Sequence, residues 1–157
     1  MINHNALRTC EPFATLSNGE LDKITGSAAE RQYEAGAVIF HEGESANELF
    51  VLQEGKVALQ MTLKNDHYQT HRRMTVDIVA ANEVFGWPAI IAPYNHTLTA
   101  VCLQAAKVLA ISANNIRWLR QDNPAAGCDI LKGLIKIVDL RLEETRRLLV
   151  SERLLTP

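Results

Sequence analysis

The chain has 157 residues, 47% of them hydrophobic, enough for one domain with a real core. Its 16 Lys and Arg against 18 Asp and Glu leave a formal charge of −2, so no global field draws it to nucleic acid or an anionic membrane. No apolar run approaches a membrane span, MINHNALRTCEPF lacks the design of a signal peptide, and Cys10, Cys102 and Cys128 form no CxxC. The expectation is a cytoplasmic protein with three reduced, mostly buried thiols.

LSNGEL is the first structural signal. Ser17 is placed to cap a helix whose third residue is Glu20, with Leu16 and Leu21 at the staple positions, which predicts a helix over 18–25. After Gly26 come brief β-type runs separated by glycine-bearing turns: RQY, VIF, LFVL and VALQMTL, with Gly36, Gly43 and Gly55 between them. In VALQMTL the residues Val57, Leu59, Met61 and Leu63 alternate, and in MTVDIVA Met74, Val76, Ile78 and Ala80 do the same. The period of two predicts half-buried antiparallel strands. KNDHYQTHRR between them reads as the polar tip of a long hairpin, and TLTAVCLQ into KVLAIS as a third strand pair.

From Ala113 the period turns helical. ANNIRWLRQD is a short amphipathic helix stopped before Pro124, and one long helix follows over about 125–154, with Gly133 the helix-weakening residue well inside it. Cys128, Leu131, Ile135, Val138, Leu142, Thr145 and Leu149 recur at spacings of three and four, an a/d seam, while Ile130, Leu134, Ile137 and Leu148 line a neighbouring face. A helix with two apolar faces is expected to lay one on the β-domain and the other on a second copy. The alternative is a helix packed wholly on its own domain.

PFATLSNGELDKI, YEAGAVIFHEGESANELFVLQEGKVAL, EVFGW and KVLAIS together resemble the cyclic-nucleotide-binding domain of the catabolite-activator-protein type, the Crp/Fnr superfamily, over about residues 12–154. The resemblance implies a mainly β fold with flanking helices: an antiparallel, jelly-roll-like β-roll over 1–123 with an N-terminal helix and a short hinge helix, then a dimerisation helix over 124–157. Gly36, Gly43 and Gly55 fit tight turns between strands. Gly86 is different, because in the family the turn after Phe-Gly opens a short helical segment whose amides receive a cyclic phosphate.

FGWPAIIAPYNHTLTA, residues 85–100, is that phosphate-binding cassette, and it departs from the family pattern. Nucleotide-binding members carry a glutamate after the glycine and an arginine near the far end. Trp87 and His96 stand there in this chain, so both charged determinants are missing. Losing such an arginine alone weakens binding by roughly a hundredfold or more. The resemblance therefore implies a ligand site made by Phe85, Gly86, Trp87, Pro88, Ala89, His96, Thr97, Leu98 and Thr99, with Arg141 of the long helix reaching in. The candidate ligands are cyclic AMP, cyclic GMP or another small anion. His96 reads either as a charge donor in slightly acid solution or as a surface turn histidine, and Trp87 as a core plug or a platform closing over an aromatic ligand. Arg141 stacks on a ring or stays solvated, and Leu142 beside it donates nothing to a base. Arg72 and Arg73 are further phosphate candidates, one of which must point outward on a regular strand.

Three function classes follow: a ligand-sensing regulatory module, a ligand-blind dimerisation or protein-docking domain plugged by Trp87, Ile90 and Ile91, and a transcription regulator. The third needs a helix-turn-helix of dozens of residues after the long helix, where only a few stand, so direct DNA binding is not expected. There is no GxSxG, GxxxxGK[ST] or HExxH, and the histidines are scattered, so neither an enzyme nor a metal site is expected. Cys10 stands without the neighbours an iron-sulfur cluster needs, and no spacing favours haem. The expectation is a homodimeric regulatory module joined through residues 128–149, with a small-molecule ligand and an unidentified protein partner.

Overall fold

The computed structural model describes residues 2–64 and 71–155. After a short helix α1 (His4–Arg8) and a 3-10 turn at Glu11–Phe13, α2 occupies Asn18–Thr25 as expected. The Ser17 hydroxyl caps it by accepting from the Glu20 amide at 3.2 Å, and Leu16, Leu21 and Ile24 are buried.

Eight antiparallel strands lie among the described residues, in two four-stranded sheets: β1 (Ala29–Tyr33), β2 (Val38–Phe40), β3 (Glu48–Glu54), β4 (Val57–Lys64), β5 (His71–Val79), β6 (Val84–Phe85), β7 (Thr99–Cys102) and β8 (Ala106–Ser112). One sheet has the order β1-β8-β3-β6 and the other β2-β7-β4-β5, the β-roll that the resemblance implies. Gly36, Gly43 and Gly55 all have positive φ, at the predicted turns. Between the sheets the core is aromatic: Phe40, Phe50 and Phe85 meet at centroid distances of 5.3–6.1 Å, with Leu52, Val57, Leu59 and Val79 around them.

Three sequence expectations change here. TLTAVCLQ and KVLAIS are not a strand pair: β7 bonds to β2 and β4, and β8 to β1 and β3, because the roll sends these two strands to opposite sheets. The strands of the long hairpin take in Lys64 and His71–Arg73 from the presumed tip, and the rest of the tip lies outside the described residues. The stripe Met74, Val76 and Ile78 is exposed rather than half-buried, as are Met61 and Leu63. A bulge also breaks the alternation of β5. Leu59 pairs with Asp77 but Gln60 pairs with Thr75, so one extra residue at Val76 flips the phase of β5.

α3 spans Ala113–Asp122 and α4 Pro124–Leu155, about 48 Å of helix. Ile130 and Leu134 of α4 are buried with Phe13, Leu21, Ile24, Ile111 and Leu119 in a second cluster between the roll and the helices. Gly133 sits where α4 crosses the 3-10 turn: a Cβ there would come within 2.5 Å of the Pro12 Cα. The helix tolerates its weak residue because nothing larger fits at that crossing.

Candidate functional site

The cassette starts at Phe85, buried at the end of β6, and turns at Gly86, whose φ of 81° is left-handed and whose missing Cβ would meet Phe50 Cδ2 at 2.9 Å. A 3-10 turn over Trp87–Ile90 follows, the short helical segment the resemblance implies. Its supply of amides is poor. Pro88 has no N–H, and the Ala89 amide is already bonded to the Gly86 carbonyl at 3.2 Å. The polypeptide has used up much of the anion nest at this point.

The return of the cassette is tied to the β2–β3 turn by backbone. Gly43 N–H donates to the His96 carbonyl and His96 N–H to the Glu44 carbonyl, both at 2.8 Å, and Ala46 N–H donates to Tyr94 O at 2.7 Å. Buried alanines 46, 89 and 113 let the turn, the cassette and the start of α3 approach closely. His96 is not a surface turn histidine. It is 6% exposed and stacked on Phe40, with ring centroids 3.6 Å apart and planes 8° from parallel, because the backbone ties turn its ring into the aromatic core. Burial pushes its pKa below the usual histidine value against an opposing pull from the Glu44 carboxylate, and its Nδ1 is buried without a partner. It is therefore a neutral imidazole near pH 7 and a poor stand-in for an arginine. Thr99 is buried, with its hydroxyl accepting from the Glu42 amide at 3.0 Å. Leu98 packs on the core and Thr97 is exposed.

On the helix side, Trp87 and Ile90 pack against the second core cluster, whereas Ile91 is 60% exposed and plugs nothing. Arg141 is not solvated. Its side chain, 15% exposed, pairs with Asp77 of β5 and with Glu83 at 3.1 Å, and lies 5.6 Å from the Trp87 ring centroid. A cavity of about 290 Å³ opens beside it, where Glu11, Asp77, Glu83 and Glu144 face a single lining cation, Arg141. A phosphate entering there meets net negative charge. Arg72, Arg73 and Leu142 are exposed, and Thr145, also exposed, borders β5 in a shallow groove.

Sequence reasoning missed three residues of this site. Asp77 looked outward until the bulge turned it opposite the buried Leu59, and Glu83 sits in an unremarkable turn. Arg117 of α3 braces the cassette by donating to the Ala89 carbonyl at 2.9 Å with its guanidinium 4.4 Å over the Tyr94 ring. No periodicity in ANNIRWLRQD signals that reach.

The family model for the cyclic nucleotide-binding domain matches residues 30–123. The chain belongs to this family. An uncharacterized protein of Haemophilus influenzae is 28% identical over 101 residues, covering 64% of this chain and 74% of the relative. Among solved structures, a candidate cyclic nucleotide-binding protein of Geobacter metallireducens GS-15 is 27% identical with a TM-score of 0.75, covering 90% of this chain and 99% of that one. The catabolite activator protein of Thermus thermophilus shares the fold at 22% identity and a TM-score of 0.69, covering 91% of this chain and 63% of that one. As a cyclic nucleotide-binding domain of Crp/Fnr type, the chain has the family's scaffold, with Trp87 and His96 at the positions where the resemblance implies a glutamate and an arginine. The residues present do not fit a cyclic nucleotide held in the usual way, because Pro88 and Ala89 offer no free amide, His96 is neutral and Arg141 is already doubly paired. No helix among the described residues is long and apolar enough to cross a membrane.

Proposed function

We propose that this domain is a regulatory module that pairs with a second copy through α4 and passes the state of its body, residues 1–123, along that helix, with a cassette that does not receive a cyclic phosphate. The divided surface of α4 carries the reading. Ile130 and Leu134 are buried on the body, while the seam residues Ile135, Val138, Leu142 and Leu149 are 67%, 40%, 44% and 47% exposed. A long seam left open on one chain is what a partner helix covers.

Light scattering is expected to give a two-chain mass, reduced to one chain by Ile135→Glu with Leu142→Glu. Cys128, the one exposed cysteine of the three, lies on the seam and is expected to cross-link to its counterpart with a short bismaleimide. A single-chain mass for the parent protein defeats the reading. Calorimetry with cyclic AMP and cyclic GMP at pH 6 and pH 8 is expected to show no heat, and micromolar binding of either overturns the second half of the proposal.

A second reading has one observation behind it. The partnerless Nδ1 of His96 suits a small hydrogen-bond donor entering between Phe85 and Thr99. A thermal-shift screen tests it: a hit whose stabilisation disappears in His96→Phe supports a ligand at that atom, and no hit leaves the ligand-blind module standing.

A further inference from the structure

The cassette and α4 meet at one side chain. The Arg141 guanidinium draws together three separate segments: Asp77 on β5, Glu83 in the turn before β6, and Trp87 at the start of the cassette. From Leu142 to Leu154 every residue of α4 is exposed, with Glu144, Thr145 and Leu148 bordering β5 along an open groove, so Arg141 is the last partly buried grip on the body in that stretch. We propose that Arg141 acts as a built-in substitute for a ligand, a charged clasp that fills the gap between cassette and helix and fixes α4 without a small molecule.

The proposal deepens the reading of α4 as the output helix and rests on it. The chemistry of the gap supports it. The cation comes from the helix and the anions from the roll. Both carboxylates engage one guanidinium, so a phosphate would have to displace two charge-assisted hydrogen bonds and then face Glu144, with Glu11 already paired to Lys136. Trp87 closes the arrangement by offering its ring face to a partly desolvated cation.

The test uses the full chain with Trp118, exposed on α3, replaced by Phe so that Trp87 alone emits. Arg141→Met keeps the stem without the guanidinium, and Asp77→Asn with Glu83→Gln keeps the shape without the charges. Each is expected to raise acrylamide quenching of Trp87 by about threefold and hydrogen exchange of α4 amides 138–148 by about tenfold, with β3 and β8 amides unchanged. Arg141→Lys, which cannot span two carboxylates with one rigid fork, falls between. Parent-like quenching and exchange in both variants overturns the proposal. If Arg141→Met loosens β3 and β8 as well, the isosteric carboxamide variant decides by the same readouts, and loosening of the whole body there too makes Arg141 a core residue and ends the proposal. A single-chain mass for the parent defeats the dimer reading, while the clasp remains measurable on one chain.

Discussion

The two walls of the cassette are closed by different physics. On the return side, residues 94–99 are bonded to the 43–46 turn by backbone, and the imidazole of His96 is stacked in an aromatic core. On the helix side, Trp87 meets Arg141, which two carboxylates hold beside an open cavity. The first wall is a permanent part of the fold, and the second is a contact between mobile-length side chains that can be undone without unfolding.

The largest effect is expected on the permanent wall. Phe85→Ala removes a fully buried ring from the aromatic core, and denaturant unfolding should show a loss of about 3–5 kcal/mol. A loss under about 1 kcal/mol would mean that the core collapses around the gap and the wall is softer than its packing implies. Gly86→Ala comes next, because a Cβ would sit 2.9 Å from Phe50 Cδ2 on a left-handed backbone. The cost should be about 1–3 kcal/mol by the same measurement.

His96 provides a pH test that separates the two walls. Its folded pKa lies below its unfolded value of about 6.5, so below that pH the unfolded chain takes up a proton that the folded chain resists. Stability present above the unfolded pKa is therefore lost as the pH falls through it toward the lower folded pKa. Melting temperatures from pH 7.5 to 5.5 should fall more for the parent than for His96→Phe, and equal slopes would show that the ring is hydrated in solution. The smallest effect is expected at Lys136 with Glu11, a 2.9 Å pair at side-chain exposures of 64% and 50%. Lys136→Ala should change stability by less than about 0.5 kcal/mol, in contrast to the partly buried Arg141 clasp.

The roll and its helices were legible in the sequence because each local signal agreed with the fold. The Ser17 cap, the glycine turns and the 3.6-period of α3 and α4 act within a few residues, so the chain needs no partner to express them. The cassette's location was legible for the same reason, in the Phe85-Gly86 pair. The charge that faces it was not. Asp77 stood in the polar phase of MTVDIVA, and a single bulged residue, visible only in the pairing with β4, turned it toward Arg141. His96 read as a surface residue for lack of any neighbour in sequence, and its ring found Phe40 from across the roll.

The sequence by itself determined the element order, the turn positions, the two-faced character of α4 and the missing glutamate and arginine of the cassette. Tertiary structure decided what took their place: a neutral imidazole inside the core and an arginine spent on two carboxylates. Local rules set how each segment folds, but the state of an ionisable group depends on burial and on charges brought near from distant segments, and those exist only once the roll has closed.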